Sequence, residues 1–433
     1  VVLQLATLAL LLVWAWPRRS AEPNPRLPTL LFIGYGLLAL LLVIRAPDPG
    51  LSLIGTVQII FPLACGLLLS RMLRKPEDLR LLARLIVMAG TLAGAVGLAL
   101  VLDRFENHEE WRLGAVEMVL GHRNFLAIFL LPALALCAAE LVHPLLYPNN
   151  RQPPLNLYPW LTGLAAILMA GTLVICTSIG AILATGAVIL FLGAKRLSRK
   201  WRLALLVLIL VTMIAVFVVL SHEPVEEKIL PQEKAQRWFM WKGAVRMALE
   251  RPLLGWGPGM FTTRFAEYKP TEPMRYGWLS QFSLYPHNEY LLVAVETGLL
   301  GLLLYLGGFI TAFRRALPAA ENDAQCGPTV WAVGAGLAGM LAQGFVTVSL
   351  RFWAPMTLFW VLTGVLIAAP RLAESQAAVK PKPASRTWNS VRIVLAAFVA
   401  VVLIWHVVWP GAAAEWLIND RGRYRLVRRR LPQ

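Results

Sequence analysis

Long apolar runs alternate with short polar stretches along almost the whole chain. Runs close to the roughly 20 apolar residues that a membrane-spanning helix needs recur at 1–16, 27–44, 51–69, 82–102, 124–142, 160–177, 179–194, 203–220, 289–313, 329–349, 353–369 and 391–409. The pattern predicts about 12 transmembrane helices, several of them short, with 160–194 read as a tight hairpin or as one bent element. No run alternates apolar and polar residues over the length of a barrel strand. The predicted class is therefore all-α, a polytopic integral membrane protein.

Two longer polar interruptions fall on one side of this pattern. The first, 103–123 (DRFENHEEWRLGAVEMVLGHR), places Trp111, Val116, Val119 and Leu120 on one side of an interfacial helix. The second, 221–288, is nearly balanced in charge and rich in aromatic residues. Within it, 232–250 (QEKAQRWFMWKGAVRMALE) has helical spacing. Trp238, Trp241, Val245 and Leu249 fall three to four apart and predict an apolar stripe, with Arg237, Lys242 and Arg246 off it. The helix is expected to stop before Pro252. GWGPGMF follows, and Gly255, Gly257 and Gly259 predict a tight, backbone-exposed turn. Arg264, Lys269 and Arg275 lead from there to PHNEYLLVAVETGLLG at 286–301.

That last stretch carries the candidate chemistry. Asn288 is a good N-cap and Glu289 a good first-turn acid, so a helix is expected to begin there, at the membrane–water boundary. His287 would sit just ahead of a helix N-terminus, whose positive end and free N–H groups favour anions. The same field disfavours a protonated imidazole and keeps His287 able to accept a proton. A diphosphate at the membrane surface would suit those N–H groups and the nearby arginines. Gly298 and Gly301 are expected to permit close helix packing. Glu296 lies about 13 Å along the helix from His287, on the face of Glu289. It must point at protein or a cavity, either as a functional group or as one end of a buried hydrogen bond to Gln343 or Gln58. A His beside a helix start is also often only a cap, an Arg in such a loop only a headgroup partner, and a GWGPG run only a turn.

Composition agrees with the pattern. The 433 residues are 58% hydrophobic and 15% charged, with mean hydropathy +0.63, which excludes an ordinary soluble domain. The net charge of +17 acquires meaning from its location. Lys and Arg gather in the short segments 71–84, 195–202 and 371–392, which fall on one side and mark it as cytoplasmic. Anionic headgroups and topology thus explain the charge, and nucleic-acid binding has no folded basic domain to support it. Residues 373–389 read as a flexible Pro/Ala/Lys-rich linker. The tail 421–430 (RGRYRLVRRR) is the exception, since it falls on the outer side. Cys65, Cys137, Cys176 and Cys326 suggest neither a disulfide framework nor, with the histidines, a zinc site. The chain opens at Val1 inside an apolar run, so a natural start further upstream is expected. The ending AAAEWLINDRGRYRLVRRR is expected to lead onward as a helix.

His287-Asn288, followed after nine residues by Gly298 and then Gly301, resembles the signature of the O-antigen ligase superfamily, which also holds O-antigen polymerases and bacterial O-linked oligosaccharyltransferases. The run GHRNFLAIFLLPALAL (121–136) resembles the family's Asn-containing helix start. Arg237, Trp241 and PLLGWGPGMF (252–261) resemble the segment upstream of the His. The likeness spans residues 80–370 or thereabouts. It implies a GT-C-like, multi-pass protein of the bacterial inner membrane with one large periplasmic loop and its active site on that face. The implied organisation is N-terminal transmembrane helices (1–220), the periplasmic loop with its amphipathic helix and catalytic His (221–288), C-terminal transmembrane helices (289–409) and a basic juxtamembrane tail (410–433).

The implied reaction is inverting and needs neither metal nor cofactor. A glycan passes from undecaprenyl diphosphate to an acceptor hydroxyl. The acceptor is lipid A-core in a ligase, another repeat unit in a polymerase, or a protein Ser in an oligosaccharyltransferase. The family's essential His maps onto His287 and its Arg onto Arg237. Arg123, Asn288, Glu289, Lys242, Arg246, Arg264 and Trp241 are expected to bind substrate. Many relatives carry Ser-Arg-Gly where this chain reads Thr177-Ser178-Ile179-Gly180, and Arg123 is the expected replacement for the missing Arg. Two other classes compete. A transporter would use Glu296, Gln58, Gln343 and His406 as midplane groups, although no inverted repeat is visible. A scaffold would need the segment 221–288 but not His287.

Overall fold

The computed structural model describes residues 27–106, 123–146, 153–176, 179–194, 232–268, 285–321, 323 and 325–378. The described residues are helical with no strand. The helices are α1 (Leu27–Val43), α2 (Pro49–Met72), α3 (Pro76–Glu106), α4 (Arg123–Leu146), α5 (Pro159–Ile175), α6 (Ile179–Ala194), α7 (Gln232–Glu250), α8 (Met260–Tyr268), α9 (Glu289–Glu321), α10 (Gly327–Gln343) and α11 (Trp353–Ala378), with a 3-10 turn at Ser349–Arg351. The predicted apolar runs within these residues are helical over most of their length, with 329–349 leaving the helix after Gln343. The runs 1–16, 203–220 and 391–409, most of 103–123 and the tail 410–433 lie outside them.

Five of these helices are long and apolar enough to cross a membrane: Pro49–Met72, Pro76–Ala99, Asn124–Pro144, Glu289–Glu321 and Trp353–Glu374. Leu27–Val43, Pro159–Ile175 and Gly180–Gly193 are shorter apolar helices. Apolar side chains also cover outward faces: Leu37 and Leu41 on α1 and Ile167 and Val174 on α5 are exposed. Helices that are apolar all round belong in a lipid solvent.

The chain divides into two compact units, drawn from Val1–Leu69, Ile189–Arg314 and Gly344–Leu350, and from Ser70–Val188, Arg315–Gln343 and Arg351–Gln433. In the first, α1 packs on α9 through aromatic pairs. Phe32 meets Phe309 at 4.9 Å and Tyr35 meets Tyr305 at 5.5 Å between ring centroids. Gly308 is required there, because a Cβ would come within 2.4 Å of the Phe32 ring. α2 begins on the Asp48 carboxylate, which accepts the Leu51 N–H at 3.0 Å, with Pro49 in the first turn.

In the second unit α4 is the hub and contacts α3, α5, α10 and α11. Residues Leu126 to Leu131 on α4 are all buried, which no lipid-facing helix would show. Small residues bring the backbones close, as expected for helix packing in lipid. A Cβ on Gly90 would lie 2.6 Å from Ala133, and one on Gly336 2.7 Å from Pro132. Two buried polar side chains bind backbone: Glu140 accepts the Leu155 and Leu157 N–H groups, and Gln343 donates to the Asn124 carbonyl at 3.1 Å.

α3 continues to Glu106, so the first residues of the expected outer segment 103–123 are helical. One expectation is corrected here. α11 continues to Ala378, so the start of the expected linker at 373 is helix as well. The residues AESQAA include strong helix formers, which outweighs the proline-rich sequence that follows.

Candidate functional site

The candidate site lies wholly in the first unit, where α7, α8 and α9 meet around a cluster that includes Met247, Trp256, Phe261, Leu292 and Val295. α9 starts where its cap predicts. The Asn288 side-chain oxygen accepts the Leu291 N–H at 3.0 Å and its carbonyl accepts Leu292 N–H at 3.1 Å. Glu289 is buried, and its N–H donates to the Gly344 carbonyl at 2.8 Å.

His287, half-buried just ahead of this cap, has φ +50. The left-handed region is uncommon for a side-chain-bearing residue, although His enters it more readily than most. Such backbone strain gathers at functional positions. It is held by contacts on both sides. The Trp241 indole N–H donates to the Pro286 carbonyl at 2.8 Å, while the Glu289 and Leu291 N–H groups are fixed as above. Arg237 is half-buried one turn before Trp241, on the same face of α7. The structure thus ties the helix face that carries Arg237 to the residue next to His287. Lys242 and Arg246 share a different face, and Arg246 is exposed.

α7 is a helix as predicted, but its buried face is rotated. Phe239, Gly243, Ala244 and Met247 are buried alongside Trp238, whereas Leu249 is 71% exposed. The cause is α8, which lies on Gly243; a Cβ there would meet the Phe265 ring at 2.7 Å and the Tyr268 carbonyl at 2.9 Å. Trp241 leaves the stripe to bond Pro286.

The largest departure from expectation is at Gly298. It is a break in α9, with φ 68 and ψ −172, a region open essentially to glycine alone. A Cβ there would fall 2.3 Å from the Leu253 carbonyl. The break frees backbone groups on both sides, and the 252–257 loop takes them up. Trp256 N–H donates to Val295 O at 3.0 Å and Gly257 N–H to Glu296 O at 2.9 Å. In return, Leu299 N–H donates to Pro252 O at 2.7 Å and Leu300 N–H to Leu253 O at 3.2 Å. Interrupted backbone at membrane depth is tolerated where protein satisfies it in this way. The GWGPG turn is therefore not backbone-exposed. Gly255, Gly257 and Gly259 do have positive φ, yet the loop is buried between α9 and α2, where a Cβ on Gly55 would come within 2.7 Å of Gly259 N.

Glu296 takes part in the same junction. Its carboxylate accepts the Gly259 N–H at 2.8 Å, at the start of α8. Gly259 is thus a partner of Glu296 that lies in the same unit. α8 has no acid in its own first turn, so Glu296 supplies negative charge to that helix N-terminus.

Sequence reasoning missed a cluster at the α7–α8 corner. The Arg251 guanidinium lies 3.9 Å from the Trp256 ring centroid, a cation–π distance, and that of Arg264 lies at 5.8 Å. Arg264 pairs with Glu267 at 2.5 Å, and Tyr268 donates to Glu250 at 2.5 Å. Burial pushes the Tyr268 phenol up to about 12, and the Glu250 carboxylate adds to the rise. Arg251 beside Pro252 and Trp256 was the only available signal. Arg123 is the first residue of α4, and its side chain lies outside the described residues, as do Thr177 and Ser178.

Membrane-length helices point to a multi-pass membrane protein, and His287, at positive φ, stands at the head of one of them. The family model described as O-antigen ligase matches residues 164–306, which contain α7, α8 and the start of α9. This match supports the O-antigen ligase superfamily, whose members are membrane enzymes of glycosyl transfer of the ligase and polymerase kind. No curated protein matches the chain.

Proposed function

We propose that this protein transfers a glycan from undecaprenyl diphosphate to an acceptor hydroxyl at the periplasmic face of the inner membrane, as an O-antigen ligase acting on lipid A-core. The observation that supports it is the fixed His287, with Trp241 bonded beside it and Arg237 one turn away on the same helix face. Polymerase and protein oligosaccharyltransferase activities use the same chemistry and differ only in acceptor.

In the proposed step the neutral His287 imidazole takes the proton of the acceptor hydroxyl. The oxygen attacks the anomeric carbon from the side opposite the leaving group, and the C–O bond to the diphosphate breaks with inversion. Undecaprenyl diphosphate leaves with the bonding electron pair. Arg237 stabilises the charge that develops there. Diphosphate is a good leaving group, so no acid is needed to protonate it.

The test is product analysis. The full chain in proteoliposomes is given lipid-linked glycan and each acceptor class in turn. Glycan covalently joined to lipid A-core is the expected product. Joining to a repeat unit or protein instead would reassign the acceptor, and flux across the vesicle without covalent change would overturn the reading in favour of transport.

A further inference from the structure

We propose that the corner at residues 249–253 is a membrane anchor, in which Leu249 and Leu253 enter the acyl region of the leaflet beside the candidate site and Arg251 holds a lipid phosphate at its surface. None of residues 289–298 of α9 is exposed. Exposure begins just past the break, with Leu299 at 49%, Leu300 at 44% and Leu303 at 59%. Those leucines form the outward apolar face of a membrane-length helix. The Leu300 N–H bonded to the Leu253 carbonyl sets Leu253 at the upper end of that face. Leu253 is itself 68% exposed and Leu249 71%, so exposed leucines continue from α9 onto the corner.

Depth agrees. Arg314 is exposed near the far end of α9. A hydrocarbon core of about 30 Å, measured back from there at 1.5 Å per residue, ends near residue 294. The break at Gly298 is then about 6 Å inside the acyl boundary and Leu253, level with Leu300, about 9 Å inside it, so that Arg251 reaches the surface by extending its long side chain. Between the two leucines, Arg251 is exposed with one face stacked on Trp256. Among the described residues it makes no ion pair. Stacking fixes the guanidinium plane and leaves its N–H edge for a phosphate, the geometry in which Arg excels. Exposed Arg246 stands one turn before. Leucines into acyl chains with arginines at headgroup level is the arrangement of an interfacial segment. The anchor rests on α9 crossing the membrane and not on the transferase reading.

The test uses the full chain, without its native cysteines, in phosphatidylethanolamine–phosphatidylglycerol vesicles. Spin labels are placed at Leu249→Cys and Leu253→Cys. Collisions with oxygen are expected to exceed those with a water-soluble nickel chelate at both sites. Arg251→Glu is expected to raise nickel collisions at 253 several-fold; Arg251→Gln, the milder change, is expected to do so by less. Nickel access equal to that of a free aqueous label would overturn the anchor, as would low collision with both reagents, which would mean burial against protein. A depth unmoved by either Arg251 variant would overturn the phosphate contact.

Discussion

At Gly298 a single missing Cβ decides how the site is built. With φ 68 and ψ −172 the residue turns the chain where a continuous helix would have bonded 295 to 299 and 296 to 300, and the 252–257 loop supplies all four partners instead. Gly298→Ala is expected to cost at least about 1–2 kcal/mol from backbone strain alone, plus displacement of Leu253, whose carbonyl lies 2.3 Å from the new Cβ. The melting temperature of the purified protein checks it against Gly163→Ala. That helical glycine has open space around it, so its variant should be neutral or more stable by up to about 1 kcal/mol. Equal melting of the two variants would contradict the role of the break. The residue pattern made Asn288 legible as a cap and His287 as its neighbour. It could not reveal Gly298 as a break, because the groups that complete it lie more than forty positions upstream, and a glycine in an apolar run reads equally well as a packing residue.

Helix identity is set locally and was readable from apolar runs, caps and Pro252. Helix orientation depends on what packs against it. α7 shows the difference. Counting large apolar side chains selects Val245 and Leu249, yet α8 demands the small surface of Gly243 and Ala244, and Leu249 turns outward. Glu296 is the joint between α9 and α8 through Gly259. Glu296→Ala leaves the Gly259 N–H without its acceptor and is expected to cost about 1–3 kcal/mol, whereas Glu296→Gln keeps an oxygen in place and is expected to recover most of it. Thermal unfolding of both variants in one detergent measures this. An Ala variant as stable as wild type would remove Glu296 from the junction.

On the scale of the molecule, lipid is the solvent that makes the composition intelligible, and the distribution of Lys and Arg gives the orientation we propose. With the Lys- and Arg-rich segment 71–84 in the cytoplasm, α7 belongs outside. Single cysteines at Arg246 and Glu77, both exposed, test it in intact cells whose outer membrane is permeabilised. A membrane-impermeant maleimide should label Arg246→Cys at once and Glu77→Cys only after the inner membrane is opened. The reverse order would invert the proposed topology and with it the periplasmic site.

The central claim is that His287 takes the acceptor proton. Its most direct measurement is the initial rate of glycan transfer from lipid-linked donor by purified, folded His287→Ala beside wild type in the same proteoliposomes. Loss of a general base predicts a fall of roughly a hundred- to ten-thousand-fold, with the melting temperature unchanged. A rate within a few-fold of wild type would contradict it.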